Sequence, residues 1–380
     1  MNIVNNKQKD MPMKKLFISS LLAIGLMSCG QPKQNAEKAP AKTPEAEALL
    51  KNLKTLPEKG YMFGHHDDTN YGICWEFEEG RSDVQSVCGD YPAVISFDLG
   101  HIELGHDVTL DKVPFDKIRQ ETINQYQRGG MVSFSWHLDN PLTGGDSWDI
   151  SDKTVVESIL PGGANHEKFM TWMERLATFM NSLQTADGKK IPAFFRPWHE
   201  HTGSWFWWGQ KLCTTEQYKA LWRMTYDYLQ AKGANHLLYA YSPGTEFNDS
   251  TSYLERYPGD DIIDLIGFDT YQSQSKEFYQ ETLATRLPIL TEIGKAHHKV
   301  IAITETGYEG IPDAEWWTGT LAPAIQDYPI AYVLVWRNAR EKVTHHYAPY
   351  PGHPSADDFV KFFNQDKTLF AKDVKDILYQ

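Results

Sequence analysis

From Leu49 onward, short apolar runs alternate with longer stretches in which apolar residues recur every three or four positions. The short runs read as strands at 61–65, 93–98, 131–137, 193–198, 237–241, 264–269, 300–304 and 330–336. Between them Phe169, Met173, Leu176, Met180 and Leu183 are spaced as one face of a helix, and Tyr218, Leu221, Trp222, Thr225 and Leu229 follow nearly the same pattern. Each set predicts a helix with a stripe turned toward a core. Thr215 is placed to cap the helix that follows it, and Gly129-Gly130 and Gly233 stand where helices should stop. Strands alternating with helices signal a parallel sheet with helical crossovers. Eight such units predict an α/β fold, a (β/α)8 TIM barrel forming a single domain over 49–380. No internal repeat is visible.

A barrel of this kind builds its active site at the C-terminal ends of its strands, so reactive side chains should follow the apolar runs. They do. His65-His66-Asp67-Asp68 follows the first, Asp98 to His101 the second, Trp136-His137 and Asp139 the third, and His199-Glu200 the fourth. Asp269 to Tyr271 ends the sixth, Glu305 the seventh and Trp336-Arg337-Asn338 the eighth. The strand starts carry nothing comparable. The richest of these ends is A-F-F-R-P-W-H-E-H-T-G-S-W-F-W-W-G, from Ala193 to Gly209, with four of the chain's 12 tryptophans.

The first residues change the picture of where the domain works. Lys14-Lys15, an apolar run over 16–27 and L-M-S-C at 26–29 have the layout of a secretory leader, 1–29, and the tetrad resembles a bacterial lipobox. Cys29 would then carry acyl chains and anchor the mature chain to a membrane. The run is shorter than the ~20 residues a spanning helix needs. Residues 30–48, rich in Pro, Ala, Lys and Glu, read as a flexible tether. Gly30-Gln31-Pro32-Lys33 lacks the acidic run that resembles surface-export signals in Bacteroidetes-like lipoproteins, which favours a periplasm-facing place in the cell envelope. In such an oxidising compartment Cys74 and Cys88 are expected to pair, leaving Cys213 single.

The formal net charge of −13, without a clustered basic stripe, argues against nucleic acid as a partner. The aromatic fraction of 13% suits either a large core or a surface that stacks on sugars.

Hydrolysis of a glycoside with retention needs two carboxyl groups about 5–5.5 Å apart across the sugar. Glu200 and Glu305, at the ends of the fourth and seventh strands, are the pair a barrel would bring together. Alone, either glutamate could be a salt-bridge partner of Arg196 or Arg337. His199-Glu200-His201 lacks the H-E-x-x-H spacing of the zinc proteases, so neither a metal nor a cofactor is expected. His297-His298 and His345-His346 lie away from the strand ends and read as surface features.

The motifs R-P-W-H-E-H-T-G-S-W-F-W-W-G and I-T-E-T-G, with S-W-H-L-D-N-P, G-F-D-T-Y and V-W-R-N, resemble glycoside hydrolase family 26, a family best known for β-mannanases. The resemblance runs in order from Tyr61 to Asn338. It implies Glu200 as general acid/base and Glu305 as nucleophile. It further implies Tyr271 as the holder of the nucleophile, Trp205 and Trp336 as sugar platforms, and His137 and His199 in the sugar pocket. Arg337 would reach a more distant sugar, and Arg196, His65 and His101 complete the expected substrate-binding set. The expectation is a lipid-anchored, monomeric, retaining hydrolase of β-1,4-mannan, galactomannan or manno-oligosaccharides. Mixed-linkage β-glucan or xylan as substrate, or a glycan-binding lipoprotein without catalysis, are the alternatives. Endo and exo action both stay open.

Overall fold

The computed structural model describes residues 41–380. The leader, Cys29 and residues 30–40 lie outside the described residues. Among the described residues the eight expected strands are β1 (Tyr61–His66), β2 (Val94–Asp98), β3 (Met131–Ser135), β4 (Ala193–Arg196), β5 (Leu237–Tyr241), β6 (Leu265–Tyr271), β7 (Val300–Gly307) and β8 (Tyr332–Val335). Each pairs in parallel with its successor, and β8 pairs back onto β1, so the sheet closes into a barrel. A short strand, Thr368–Leu369, joins β1 from outside at Tyr61 and Met62.

Strand pleating sorts the apolar residues into two cores. Met62, Val94, Met131, Phe194, Leu238, Leu265, Ala302 and Leu334 fill the barrel interior, and Phe63, Ile95, Val132, Phe195, Tyr239, Ile266, Ile303 and Val333 face the helices. Gly64 is required inside, because a Cβ there would lie 3.0 Å from Val94 Cβ and 3.2 Å from Leu334 Cβ. Two steps further along the interior face, small and apolar residues give way to His66, Ser96, Ser135, Arg196 and Asp269. The mouth of the barrel is therefore polar because the strands outlast their hydrophobic filling.

One strand breaks this alternation. Phe268 pairs with Ile303 but Asp269 pairs with Glu305, and on the other side Val333 pairs with Ile303 while Val335 pairs with Thr306. Thus β7 carries one extra residue at Thr304 relative to both neighbours. Strict alternation would turn Glu305 outward with Ile303; the bulge turns it into the mouth.

Helix α1 (Pro44–Thr55) precedes β1, and the crossover helices include α2 (Asp83–Cys88), α3 (Phe115–Gln127), α4 (His166–Asn181), α5 (Thr215–Ala231) and α6 (Lys276–His297). The stripes expected on α4 and α5 are buried. The cap of α5 is Thr214, one residue earlier than expected, in a reciprocal capping box with Gln217. Gly129 and Gly233 follow their helices with φ of 84° and 78°, which is why glycine stops them. The folded chain also begins inside the segment read as a tether. Thr43 caps α1, and Ala46, Leu49 and Leu53 are buried against the barrel's lower end. Composition averaged away that cap-Pro-acid start signal.

The expected Cys74–Cys88 disulfide is not formed; both are free thiols. The physical cause is the buried carboxylate of Asp83. It accepts from Ile73 N at 3.0 Å, Trp75 Nε1 at 2.7 Å and Asn338 Nδ2 at 2.9 Å. Holding Trp75 inward leaves Cys74 exposed in the turn between the short strands Tyr71–Gly72 and Trp75–Glu76. Cys88, at the far end of α2, donates instead to the Asp90 carbonyl. Residues beyond 338, to which the sequence assigned no role, cover the outside of β1, where Phe359, Phe362 and Phe370 surround Phe63. Of the four histidines read as surface features, His346 is instead buried, facing His353 at 3.1 Å.

Asp83→Ala would strand three donors in a site closed to water. We expect it to lower unfolding stability by about 3 kcal/mol, measured by urea denaturation; a loss within experimental scatter would refute this account of the 73–83 turn.

Candidate active site

The site begins where β4 ends. Past Arg196 the backbone turns sharply, with Trp198 at φ 56° and Glu200 at φ 52°, both in the left-handed region that non-glycine residues seldom adopt. The indole of Trp198 goes outward, packed among Trp136, Trp207 and Trp208. His199 and Glu200 turn toward the mouth. The turn is held by Glu200 N, which donates to Ser242 O at 2.8 Å, and by Trp208 Nε1, which donates to His199 O at 2.9 Å. Trp207 and Trp208 are both fully buried, so these two serve the turn from behind. Trp205 is the tryptophan of this stretch that reaches solvent, at 39% exposure. Its Nε1 donates to Glu200 Oε2 at 2.8 Å. The ring lies over Gly203, where a Cβ would come within 1.8 Å of it.

Opposite stands Glu305. Tyr271 OH donates to its Oε2 at 2.7 Å, and Arg196 Nη2 donates to its Oε1. The other arm of Arg196 donates to Asp269 Oδ2 at 2.8 Å and Ser242 Oγ at 3.0 Å, and Thr304 Oγ1 donates to Asp269 Oδ1 at 2.6 Å. Oxygens of Glu200, Asp269 and Glu305 all lie within 4.8 Å of one another. Burial works against the charge of Arg196, but Asp269 and Glu305 outweigh it and hold the guanidinium protonated. Glu200 has no such partner. Burial first, then the negative charges of Asp269 and Glu305, push its pKa well above the ordinary glutamate value. The two glutamates are thus set apart: one ion-paired, the other biased toward its protonated form.

Two linked histidines belong to the same mouth. His137 Nδ1 is 2.6 Å from Asp98 Oδ2, and its Nε2 is 3.1 Å from Nε2 of His199. Burial disfavours charge on His137, but Asp98 overcomes it and raises the pKa. Burial, then Arg196 and His137, lower that of His199 well below normal. His137 is therefore the donor and neutral His199 the acceptor, which leaves His199 Nδ1 buried without a partner among the described residues. Trp336 lies flat against His66, with centroids 4.0 Å apart and planes at 21°.

The structure thus gathers Arg196, His137, His199, Glu200, Trp205, Tyr271, Glu305 and Trp336 around one mouth, but it separates others. His65 lies on the helix-facing side of β1, with Nδ1 2.8 Å from Asp68 Oδ1; His66 takes the interior position instead. The pleat carried the signal, since Met62, Gly64 and His66 share a face. Arg196 lies beneath the carboxylates, 4% exposed, and acts on the site through them. His101 sits on the rim, with Nε2 3.8 Å from Asp139 Oδ1. Arg337 is tied to Asp111 at 3.1 Å and Glu341 at 2.8 Å. Trp148, which the sequence reading missed, is 51% exposed and parallel to His137, with planes at 10° and centroids 5.5 Å apart. Its loop shows no hydrophobic period, so only tertiary placement reveals it.

Comparison with known proteins identifies the family. The family model for glycosyl hydrolase family 26 matches residues 38–313. A mannan endo-1,4-beta-mannosidase of Bifidobacterium adolescentis is 32% identical over 353 residues, covering 87% of this chain and 35% of that protein. A mannan endo-1,4-beta-mannosidase A and B of Caldalkalibacillus mannanilyticus is 28% identical, covering 67% of this chain and 50% of its own length. The chain therefore spans about a third to a half of these curated relatives. Among solved structures, a family 26 beta-mannanase from Bacteroides ovatus superposes with a TM-score of 0.88 at 62% identity, covering 89% of this chain and 98% of that one. An endo-beta-1,4-mannanase double mutant of Cellulomonas fimi gives 0.82 at 32% identity, over 90% and 78%. With more than half of its length matched by the family model, the chain belongs to glycosyl hydrolase family 26.

Proposed function

We propose that this protein is a retaining β-glycoside hydrolase that cleaves β-1,4-mannosidic bonds, with Glu305 as nucleophile and Glu200 as acid/base. The observation that carries this reading is the facing pair of carboxylates, with oxygens within 4.8 Å, one held by Arg196 and Tyr271 and the other pushed toward protonation. Oxygens this close favour the retaining arrangement, with carboxyls about 5–5.5 Å apart, over the inverting one at about 6.5–9.5 Å. Mannan is favoured as substrate by the relatives named above.

In the first step Glu305 attacks the anomeric carbon and the bond to the leaving oxygen breaks as Glu200 transfers its proton to that oxygen. A covalent glycosyl-enzyme results. In the second, Glu200 takes a proton from water, the water oxygen bonds to the anomeric carbon, and the Glu305 carboxylate is released. Trp336 offers an apolar face in the pocket, with His137 and His199 beside it. Arg337 and His101 serve sugars further along the cleft. On the same reading residues 1–29 are a leader, Cys29 carries the lipid anchor, and a monomer works in the cell envelope on polysaccharide or oligosaccharide, with no nucleic-acid partner.

Purified wild type should release reducing ends from mannan faster than from lichenan or xylan assayed alongside; mannan retention without new reducing ends would favour the binding-only alternative. Glu305→Ala should lose activity by orders of magnitude on every substrate while keeping the wild-type circular dichroism spectrum at the assay temperature, even though it removes one partner of buried Arg196 and lowers stability. Glu200→Ala should fall about 10²–10⁴-fold on mannan yet far less on an aryl β-mannobioside, whose leaving group needs no proton. Equal losses on both substrates would remove Glu200 from the acid role.

The pH profile gives a separate check. The acid must be protonated in the free enzyme, so kcat/KM falls as pH rises through the pKa of Glu200. The Trp205 N–H favours the ionised carboxylate. Trp205→Phe should therefore move the basic limb to higher pH, whatever it does to the maximum rate; an unmoved or lowered limb would contradict the contact's role.

A further inference from the structure

Building on the mannan reading, we propose that Phe278 is the platform for the second sugar on the leaving-group side, with Arg286 and Glu246 serving that sugar's hydroxyls. The first observation is directional. A cleft of about 380 Å³ opens from Glu200 and Trp205 and runs past 244–246 to Phe278, Thr282 and Arg286. His137, His199 and Trp336 are not part of its lining. Since Glu200 protonates the leaving oxygen, this cleft receives the leaving sugars.

The second observation is the state of its walls. Phe278 stands 50% exposed in the first turn of α6, its backbone N–H donating to the Ser275 cap at 3.2 Å. Its ring is absent from the core clusters. Phe278 and Trp205, 50% and 39% exposed, both line the cleft and give it two apolar platforms, the arrangement that a chain of sugar rings requires. Between them stand charged groups with neutral partners. Arg286 Nε donates to Thr245 O at 3.0 Å and Nη2 to Asn248 Oδ1 at 3.2 Å, while Glu246 Oε2 accepts from Thr202 Oγ1 at 2.7 Å. Side chains fixed in this way keep hydrogen-bonding capacity for a neutral polyhydroxyl ligand without a net charge preference. The cleft is thus built for a leaving group of at least two sugars, which makes longer chains better substrates than their scissile bond alone dictates.

The test compares Phe278→Ala with wild type on two substrates. On mannohexaose kcat/KM should fall about five- to tenfold; on an aryl β-mannobioside, whose leaving group ends at Trp205, it should be unchanged. Phe278→Trp should restore the hexaose rate. Unchanged hexaose kinetics in Phe278→Ala would overturn the proposal, as would equal losses on both substrates, which would mark Phe278 as a prop of the catalytic turn. Wild type inactive on both substrates would instead overturn the mannan reading itself.

Discussion

The active end of this barrel depends on one buried cation. Arg196 leaves β4 beneath the mouth and divides its guanidinium between Asp269 of β6 and Glu305 of β7, with Ser242 after β5 as a further acceptor. Four consecutive strand ends are thereby fixed to one planar group. Removing one partner of such a buried pair typically costs about 3–5 kcal/mol, because it leaves an uncompensated charge. The same arrangement sets the chemistry. The two carboxylates that Arg196 engages share a positive charge, and Glu200, left out, feels their negative charge and its own burial. One arginine therefore gives two chemically identical side chains, Glu305 and Glu200, different electrostatic surroundings.

Backbone irregularities do the aiming. Regular pleating of β7 would hide Glu305 among the residues that face the helices, and the extra residue at Thr304 reverses this. Thr304 itself is not idle, since its hydroxyl holds Asp269. At β4 the left-handed turns at Trp198 and Glu200 play the matching part. Such conformations cost on the order of 1–3 kcal/mol each and persist where surrounding structure over-determines them. Here Trp136, Trp207 and Trp208, wedged around Trp198, supply that surround. The tryptophans of the R-P-W-H-E-H-T-G-S-W-F-W-W-G segment thus divide into three that brace the turn and one, Trp205, that faces the cleft.

The aromatic surface is unevenly distributed around the mouth. On one side imidazoles and Trp336 stack closely with little room between them, as His66 on Trp336 and His137 against His199 show. On the other side Trp205 and Phe278 stand apart across an open cleft. A tight, polar, histidine-lined half suits recognition of a particular ring, and an open aromatic half suits a chain that must leave.

The order of the strands, the helix stripes and the reactive strand ends were legible in the sequence because burial imposes a period on each element and a barrel puts its chemistry after each strand, whereas the strand boundaries shifted by up to three residues. The pairing of Glu200 with Glu305 followed from that topology. Other features depended on side-chain direction, which sequence spacing expresses only where pleating is regular. His66 rather than His65 follows from the pleat of β1, whereas the inward turn of Glu305 needs a bulge that no residue type announces. Proximity of Cys74 and Cys88 in the chain suggested a bond, but Asp83, tied to Asn338 some 255 residues away, set the turn that keeps them apart. Sequence by itself determined which strand ends carry the reactive groups. Tertiary structure decided which of them are ion-paired, because Arg196 bonds Asp269 and Glu305 and leaves Glu200 without a cationic partner.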